Sequence, residues 1–71
     1  MNSDLFRFVR VSKRLTQREF AEAIGVSHGL VAQIEAGMKR LTPRTAERVR
    51  QAFELTDEEL AELRRILKVV V

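Results

Sequence analysis

The stretch from Thr16 to Gly37, TQREFAEAIGVSHGLVAQIEAG, decides the fold of this 71-residue chain. Thr16 is followed three residues later by Glu19, a spacing that predicts a capping box at the start of a helix. The apolar residues after it recur at helical spacing and mark one buried face: Phe20, Ala21 and Ile24. Gly25 comes next, where a left-handed residue can end a helix. This first part therefore predicts a helix over about 17–24.

The second part of the stretch predicts another short helix, over about 28–36. Ser27 can cap it, and its buried stripe is formed by Leu30, Val31 and Ile34. The small Ala21 allows two helices to cross closely over a short turn, which is the helix-turn-helix pattern. An ordinary helical hairpin inside a small bundle is the alternative interpretation.

The combination is specific enough to indicate a family. A capping box, Ala21, Gly25 four residues later, and apolar residues six and nine positions beyond that glycine resemble the phage Cro/repressor-type (Xre-like) helix-turn-helix domains. The resemblance runs from about Phe6 to Leu63. It implies an all-α fold, a compact bundle of about five short helices with a central helix-turn-helix, and a DNA-binding role.

The flanking sequence predicts three more helices. The first covers about 3–13, with Asn2 or Ser3 as its cap and an inward stripe of Leu5, Phe6 and Val9. The fourth covers about 43–54, opened by Thr42 and by a proline at the first helical position, with Val49, Ala52 and Phe53 inward. The fifth follows a second predicted capping box between Thr56 and Glu59.

The resemblance also assigns structural roles. Arg10 and Glu35 stand where family members carry an arginine and a glutamate that pair, so a partly buried ion pair between them is implied. Arg14 stands where family members often have a glycine.

Composition and charge limit the function classes. Seventy-one residues predict a single domain over 1–71, and the absence of cysteine removes disulfides, thiol nucleophiles and cysteine zinc sites. No signal peptide or long apolar run is present, so a cytoplasmic protein without membrane association is expected. Residues 1–53 hold ten basic and five acidic side chains, whereas residues 54–71 hold three and five. A polyanion should approach the first part and avoid the second, although any one of these charges could simply be solvated.

The C-terminal end is more apolar than a monomer of this size needs. We expect residues 56–71, a helix followed by an apolar tail, to form a homodimer interface through Leu63, Ile66, Leu67, Val69 and Val70. A frayed or self-covering terminus is the alternative. The tail could continue as a helix or pair as a short strand, and its β-branched run weakly favours the strand.

The second helix of the motif is expected to lie in the major groove of double-stranded DNA. Once the buried positions are removed, the residues left to contact bases are Ser27, His28, Gly29, Ala32 and Gln33. Gln33 carries the donor and acceptor that match an adenine edge. Gly29 has no side chain that could contact a base, but it allows the helix to approach the bases closely.

Phosphate contacts are expected at helix N-termini, where free amides meet an anion, and in the basic loop before the fourth helix. The residues concerned are Thr16, Gln17, Arg18, Lys39, Arg40, Thr42 and Arg44, of which Gln17, Lys39, Arg40 and Arg44 are also implied by the family resemblance. Lys13 and Arg14 are further candidates, while Arg48 and Arg50 are expected to be solvated charges.

Together these features predict a sequence-specific transcriptional regulator, in particular a repressor, that binds a palindromic operator as a homodimer. A helix-turn-helix module or antitoxin that acts through a protein partner is the alternative. The chain has one histidine, no carboxylate pair placed by spacing and no phosphate-binding glycine loop, so we expect no enzymatic activity, no cofactor and no metal.

Overall fold

The computed structural model describes residues 1–70, with only the backbone described for residue 70. Five helices follow one another along the chain: α1 (Ser3–Ser12), α2 (Gln17–Ile24), α3 (His28–Glu35), α4 (Pro43–Ala52) and α5 (Asp57–Val70). Residues 1–70 contain no strand. The all-α fold with a central helix-turn-helix is as predicted.

The first four helices begin where short polar side chains can satisfy their free amides. Asn2 accepts from the Leu5 N–H at 2.8 Å, and the Thr16 hydroxyl accepts from the Glu19 N–H at 3.1 Å. The Glu19 carboxylate accepts in turn from the Thr16 N–H at 2.9 Å, which completes the predicted capping box. The caps of α3 and α4 are Ser27 and Thr42.

The core lies where α1, α2, α3 and α4 meet, with α5 packed across α1. Its centre is aromatic: the Phe6 ring meets Phe20 edge-on at 5.1 Å between centroids, and Phe53 stacks on Phe20 at 5.5 Å. Aliphatic residues surround these rings: Leu5, Val9, Ala21, Ile24, Val31, Ile34, Val49, Leu55 and Leu60. Because the rings join α1, α2 and the end of α4, they hold the helix-turn-helix against the rest of the domain.

Two details of the predicted core were wrong, and one buried residue was not predicted. Ala52 is exposed rather than inward, because α4 ends there and the stacked ring of Phe53 fills this end of the helix. Leu30 is only half-buried. Thr45 is buried although it is polar, and its hydroxyl accepts from the Thr42 hydroxyl at 3.1 Å, which satisfies it inside the core.

Residues 57–70 are helical, not extended. α5 continues to Val70, so the strand that the β-branched residues favoured is absent. A strand needs a partner edge for its backbone groups, and residues 1–70 offer none, whereas a helix bonds its own. The predicted capping box at the start of α5 forms only in its forward half: the Glu59 N–H donates to the Thr56 hydroxyl at 3.1 Å, while the hydroxyl itself donates to the Glu59 carboxylate at 3.4 Å.

Among the residues described, two that are not glycine adopt left-handed backbone conformations. Arg14, after α1, has φ +58°, and Glu54, after α4, has φ +51°. Arg14 therefore adopts the conformation that a glycine would adopt at lower cost. Within residues 1–70, no helix combines the length and apolar character needed to cross a bilayer.

Candidate nucleic-acid interface

The outer surface of α3 is open to solvent. Ser27, His28, Gly29 and Gln33 are exposed, and Ala32 is half-buried. The Ser27 hydroxyl is occupied as a cap, since it accepts from the Leu30 N–H at 3.1 Å. The polar groups left free for a ligand on this face are therefore those of His28 and Gln33.

Gly29 is not required by the fold. A Cβ built at this position would meet no heavy atom of the described chain within 4 Å. Glycine in a helix costs about 0.5–1 kcal/mol relative to alanine. Packing therefore does not explain why this exposed position of α3 is a glycine.

The turn between α2 and α3 depends on Gly25, with φ +76°. Its N–H donates to the Ala21 carbonyl at 2.9 Å. The guanidinium of Arg48 on α4 donates to the carbonyls of Ile24 and Gly25 at 3.4 and 3.5 Å. Arg48 thus covers the C-terminal carbonyls of α2, where a cation also suits the helix dipole, a role that the sequence did not reveal.

A buried ion pair ties α1 to the end of α3. Arg10 donates from Nε and Nη2 to the two carboxylate oxygens of Glu35, at 2.7 and 2.9 Å. The side chains are only 15% and 5% exposed, respectively. Nη1 of Arg10 also donates to the Leu15 carbonyl at 2.8 Å. This pair fixes the angle between α3 and the body of the domain.

Gln17 joins the same network. Its side-chain amide donates to Glu35 Oε1 at 3.1 Å, and the residue is half-buried. The side chain of this predicted phosphate ligand is thus already held by Glu35. Its backbone N–H, at the first position of α2, belongs to the helix N-terminus, where an anion could meet it.

The other predicted phosphate ligands differ in availability. Arg18, Lys39, Arg40 and Arg44 are exposed. Thr16 and Thr42 are also exposed, but both hydroxyls act as caps. The Lys13 ammonium lies 5.9 Å from the centroid of the Phe53 ring, so its position is set partly by that ring.

Charge is distributed unevenly around α3. Between residues 23 and 46 the sequence contains a single carboxylate, Glu35, and this one is buried against Arg10. The exposed side chains of the same stretch include the cations of Lys39, Arg40 and Arg44. Nothing anionic on this stretch therefore opposes the approach of a polyanion.

The pKa of Glu19, which closes the capping box of α2, is shifted by its hydrogen bonds. The backbone N–H of Thr16, and to a smaller extent its side chain, lower the pKa of Glu19 below its ordinary value of 4.5. Glu19 is therefore charged at neutral pH, and its carboxylate supports the N-terminus of α2 through the helix dipole.

Comparison with known families identifies the family to which this fold belongs. A family model described as "Helix-turn-helix" matches residues 6–60, which span α1 to α4 and the start of α5. The chain belongs to the Cro/C1-type helix-turn-helix family. This membership indicates a DNA-binding transcription regulator, and it is not typical of enzymes. Neither the curated proteins nor the solved structures include a significant match to the chain.

Proposed function

We propose that this helix-turn-helix protein is a sequence-specific regulator, in particular a repressor, that places α3 in the major groove of a palindromic operator. The observation that carries this proposal is the open outer face of α3 within a stretch whose only carboxylate is buried. A helix that binds in the major groove needs such a surface, which the rest of its own domain does not cover and which carries no exposed negative charge.

Base recognition is assigned to few side chains. The Gln33 amide matches the N6 and N7 groups of an adenine, and His28 can donate to a guanine acceptor or to a phosphate. Ala32 can touch only a thymine methyl, and Ser27 lies at the N-terminus of the helix. Gly29 permits close approach of the helix backbone to the base edges. Direct recognition is therefore modest, and DNA shape contributes to selectivity.

Phosphate contacts supply most of the affinity in this proposal. At the N-terminus of α2 the free backbone N–H of Gln17 meets a phosphate, since the N–H of Thr16 is held by Glu19. At the N-terminus of α4 the backbone N–H groups of Thr42 and Arg44 do so. The cations that accompany them are Arg18, Lys39, Arg40 and Arg44. If a dimer neutralises about eight phosphates, log affinity falls with log salt at a slope of about −7.

The proposed homodimer uses α5. Ile66 and Val69, three residues apart on this helix, are 42% and 82% exposed, although both are apolar. Leu63 and Leu67 are half-buried against the domain's own core and contribute their outer edges. Val70 was predicted to join them, but its side chain lies outside the described residues. Two-fold symmetry then predicts inverted half-sites whose centres lie about 34 Å apart. A DNA-binding role would also place the protein in the cytoplasm, on the nucleoid.

Selection of bound sequences from a random pool of duplex DNA tests the proposal. We expect enrichment of a palindrome, and failure to enrich any sequence would refute specific binding. Gln33→Ala should relax the preference at one base position. Arg44→Ala should weaken binding to all sequences alike and flatten the salt slope by about one.

Gly29→Ala tests stability and DNA binding separately, because the two should change in opposite directions. Because a Cβ meets no neighbour there, alanine should raise the free energy of unfolding by about 0.5 kcal/mol. The same methyl group should weaken operator binding, since it separates the helix from the bases. A more stable variant that binds DNA as tightly as the wild type would contradict the placement of α3 in the groove.

A second candidate function is a protein-interaction module or antitoxin. The exposed apolar side chains of α5 favour it, because they suit a protein partner as well as a second copy. Retention of the protein on duplex DNA that weakens with rising salt separates the two, since a pure interaction module should show no such retention.

A further inference from the structure

The C-terminal end of α3 is closed by a tight turn that determines where Met38 lies. Gly37, with φ +76°, donates its N–H to the Ile34 carbonyl at 3.1 Å, and Met38 donates its N–H to the Gln33 carbonyl at 2.9 Å. These two bonds make a Schellman motif, in which the residue after the glycine is bonded back to the last full turn of the helix. Met38 is therefore held beside Gln33.

Met38 lacks the partner that this motif commonly provides. The residue after the glycine often packs on an apolar side chain three or four positions before the C-cap, where Gln33 and the small Ala32 stand here. Gln33 is polar and exposed, and Met38 is itself 78% exposed. A large, flexible apolar side chain thus stands in solvent on the residue whose N–H is bonded to Gln33, the residue assigned to read an adenine.

The surroundings of Met38 suit a nucleic acid better than another protein surface. Lys39 and Arg40 follow it directly and are exposed, while the only carboxylate nearby in sequence, Glu35, is buried against Arg10. A polyanion is drawn to such a surface. The apolar group that duplex DNA offers on the floor of the major groove is the C5-methyl of thymine.

We infer that Met38 is a specificity-determining residue: its side chain packs on the C5-methyl of a thymine adjacent to the base pair read by Gln33. This inference rests on the proposed function, and it adds a recognition contact from outside α3. The flexible thioether side chain can adapt to a methyl group whose position is set by the DNA.

The test replaces each thymine of the selected operator in turn by deoxyuridine, which removes only the C5-methyl. Wild-type affinity should fall about four-fold at one thymine near the Gln33 contact, the equivalent of one buried methyl group. Met38→Ala should bind the unmodified operator about ten-fold more weakly, because the truncated side chain loses more apolar contact than one methyl group. It should be insensitive to deoxyuridine at that same thymine. Met38→Leu should retain the sensitivity, and Met38→Gln, of similar length, should lose it.

Val11→Ala is the matched control, since Val11 is also apolar and exposed but lies on α1. It should change neither affinity nor the deoxyuridine response, and thermal unfolding of all variants should be close to that of the wild type. If Met38→Ala weakens random and selected DNA equally, or keeps the deoxyuridine response, the inference is wrong while the proposed function survives. If the wild type enriches no sequence from the pool, the proposed function itself fails.

Discussion

Replacing Arg10 by methionine should be among the most damaging single changes in this domain. The Glu35 side chain, 5% exposed, would keep only the amide of Gln17 as a donor, and the Leu15 carbonyl would lose its guanidinium partner. Breaking a buried ion pair from one side costs about 3–5 kcal/mol, because the remaining charge stays out of water. A domain of this length has about 4–10 kcal/mol of stability in total.

The two halves of the pair should not be equivalent. Glu35→Gln leaves a guanidinium that is 15% exposed and still bonded to the Leu15 carbonyl, so water and the backbone partly compensate it. We expect a loss of about 2 kcal/mol for this variant and about 4 kcal/mol for Arg10→Met. The double variant Arg10→Met/Glu35→Gln should cost less than Arg10→Met alone, since it leaves no uncompensated charge.

Urea unfolding at neutral pH, followed by circular dichroism, measures these losses, provided the slopes of the transitions agree among the variants. Arg50→Met is the control, because Arg50 and Glu47 form an exposed pair on α4, which water screens, and its loss should leave the urea midpoint close to that of the wild type. If the double variant loses as much as the two single variants together, the pair has no coupling energy and the reasoning is refuted.

Three further predictions follow from the structure. Arg14→Gly should raise the free energy of unfolding by about 0.5–1 kcal/mol in urea titrations, because φ +58° suits glycine better; a loss would mean that the arginine side chain makes a stabilising contact. Because folding lowers the pKa of Glu19, its contribution to stability is complete above pH 4.5 and is lost as pH falls through the folded-state pKa. Glu19→Gln should therefore show a flatter loss of stability on acidification, and an unchanged slope would contradict this. Ile66→Glu should shift sedimentation velocity from dimer to monomer, whereas Val11→Glu should not; dimers in both variants would exclude the α5 interface.

The helix-turn-helix was predictable because its signals are local. A capping box, a glycine at a helix end and apolar residues three and four apart act within one or two turns. They located α2 at Gln17–Ile24 and the start of α3 at His28. The ion pair of Arg10 with Glu35 is a long-range contact, and only the family resemblance implied it.

Other features had no local signal. The donation by Arg48 to the carbonyls of Ile24 and Gly25 joins residues more than twenty positions apart, so the sequence alone indicated only a solvated charge. The exposure of Met38 depends on whether other residues of the folded chain pack against the C-terminal end of α3, which local sequence does not show. The helical state of Val69 and Val70 contradicts their local β-preference, because a strand has no partner edge within residues 1–70.

By itself, the sequence determined where the helices start, most of their apolar faces and that the positive charge lies in the first three-quarters of the chain. Tertiary structure decided which side chains are already engaged and which are exposed. Gln17 is held by Glu35 and Arg48 by the end of α2, whereas Gln33 and Met38 are both exposed. The physical reason is range, since caps and helical periodicity act over a few residues, whereas the availability of a side chain depends on which distant residues the folded chain brings beside it.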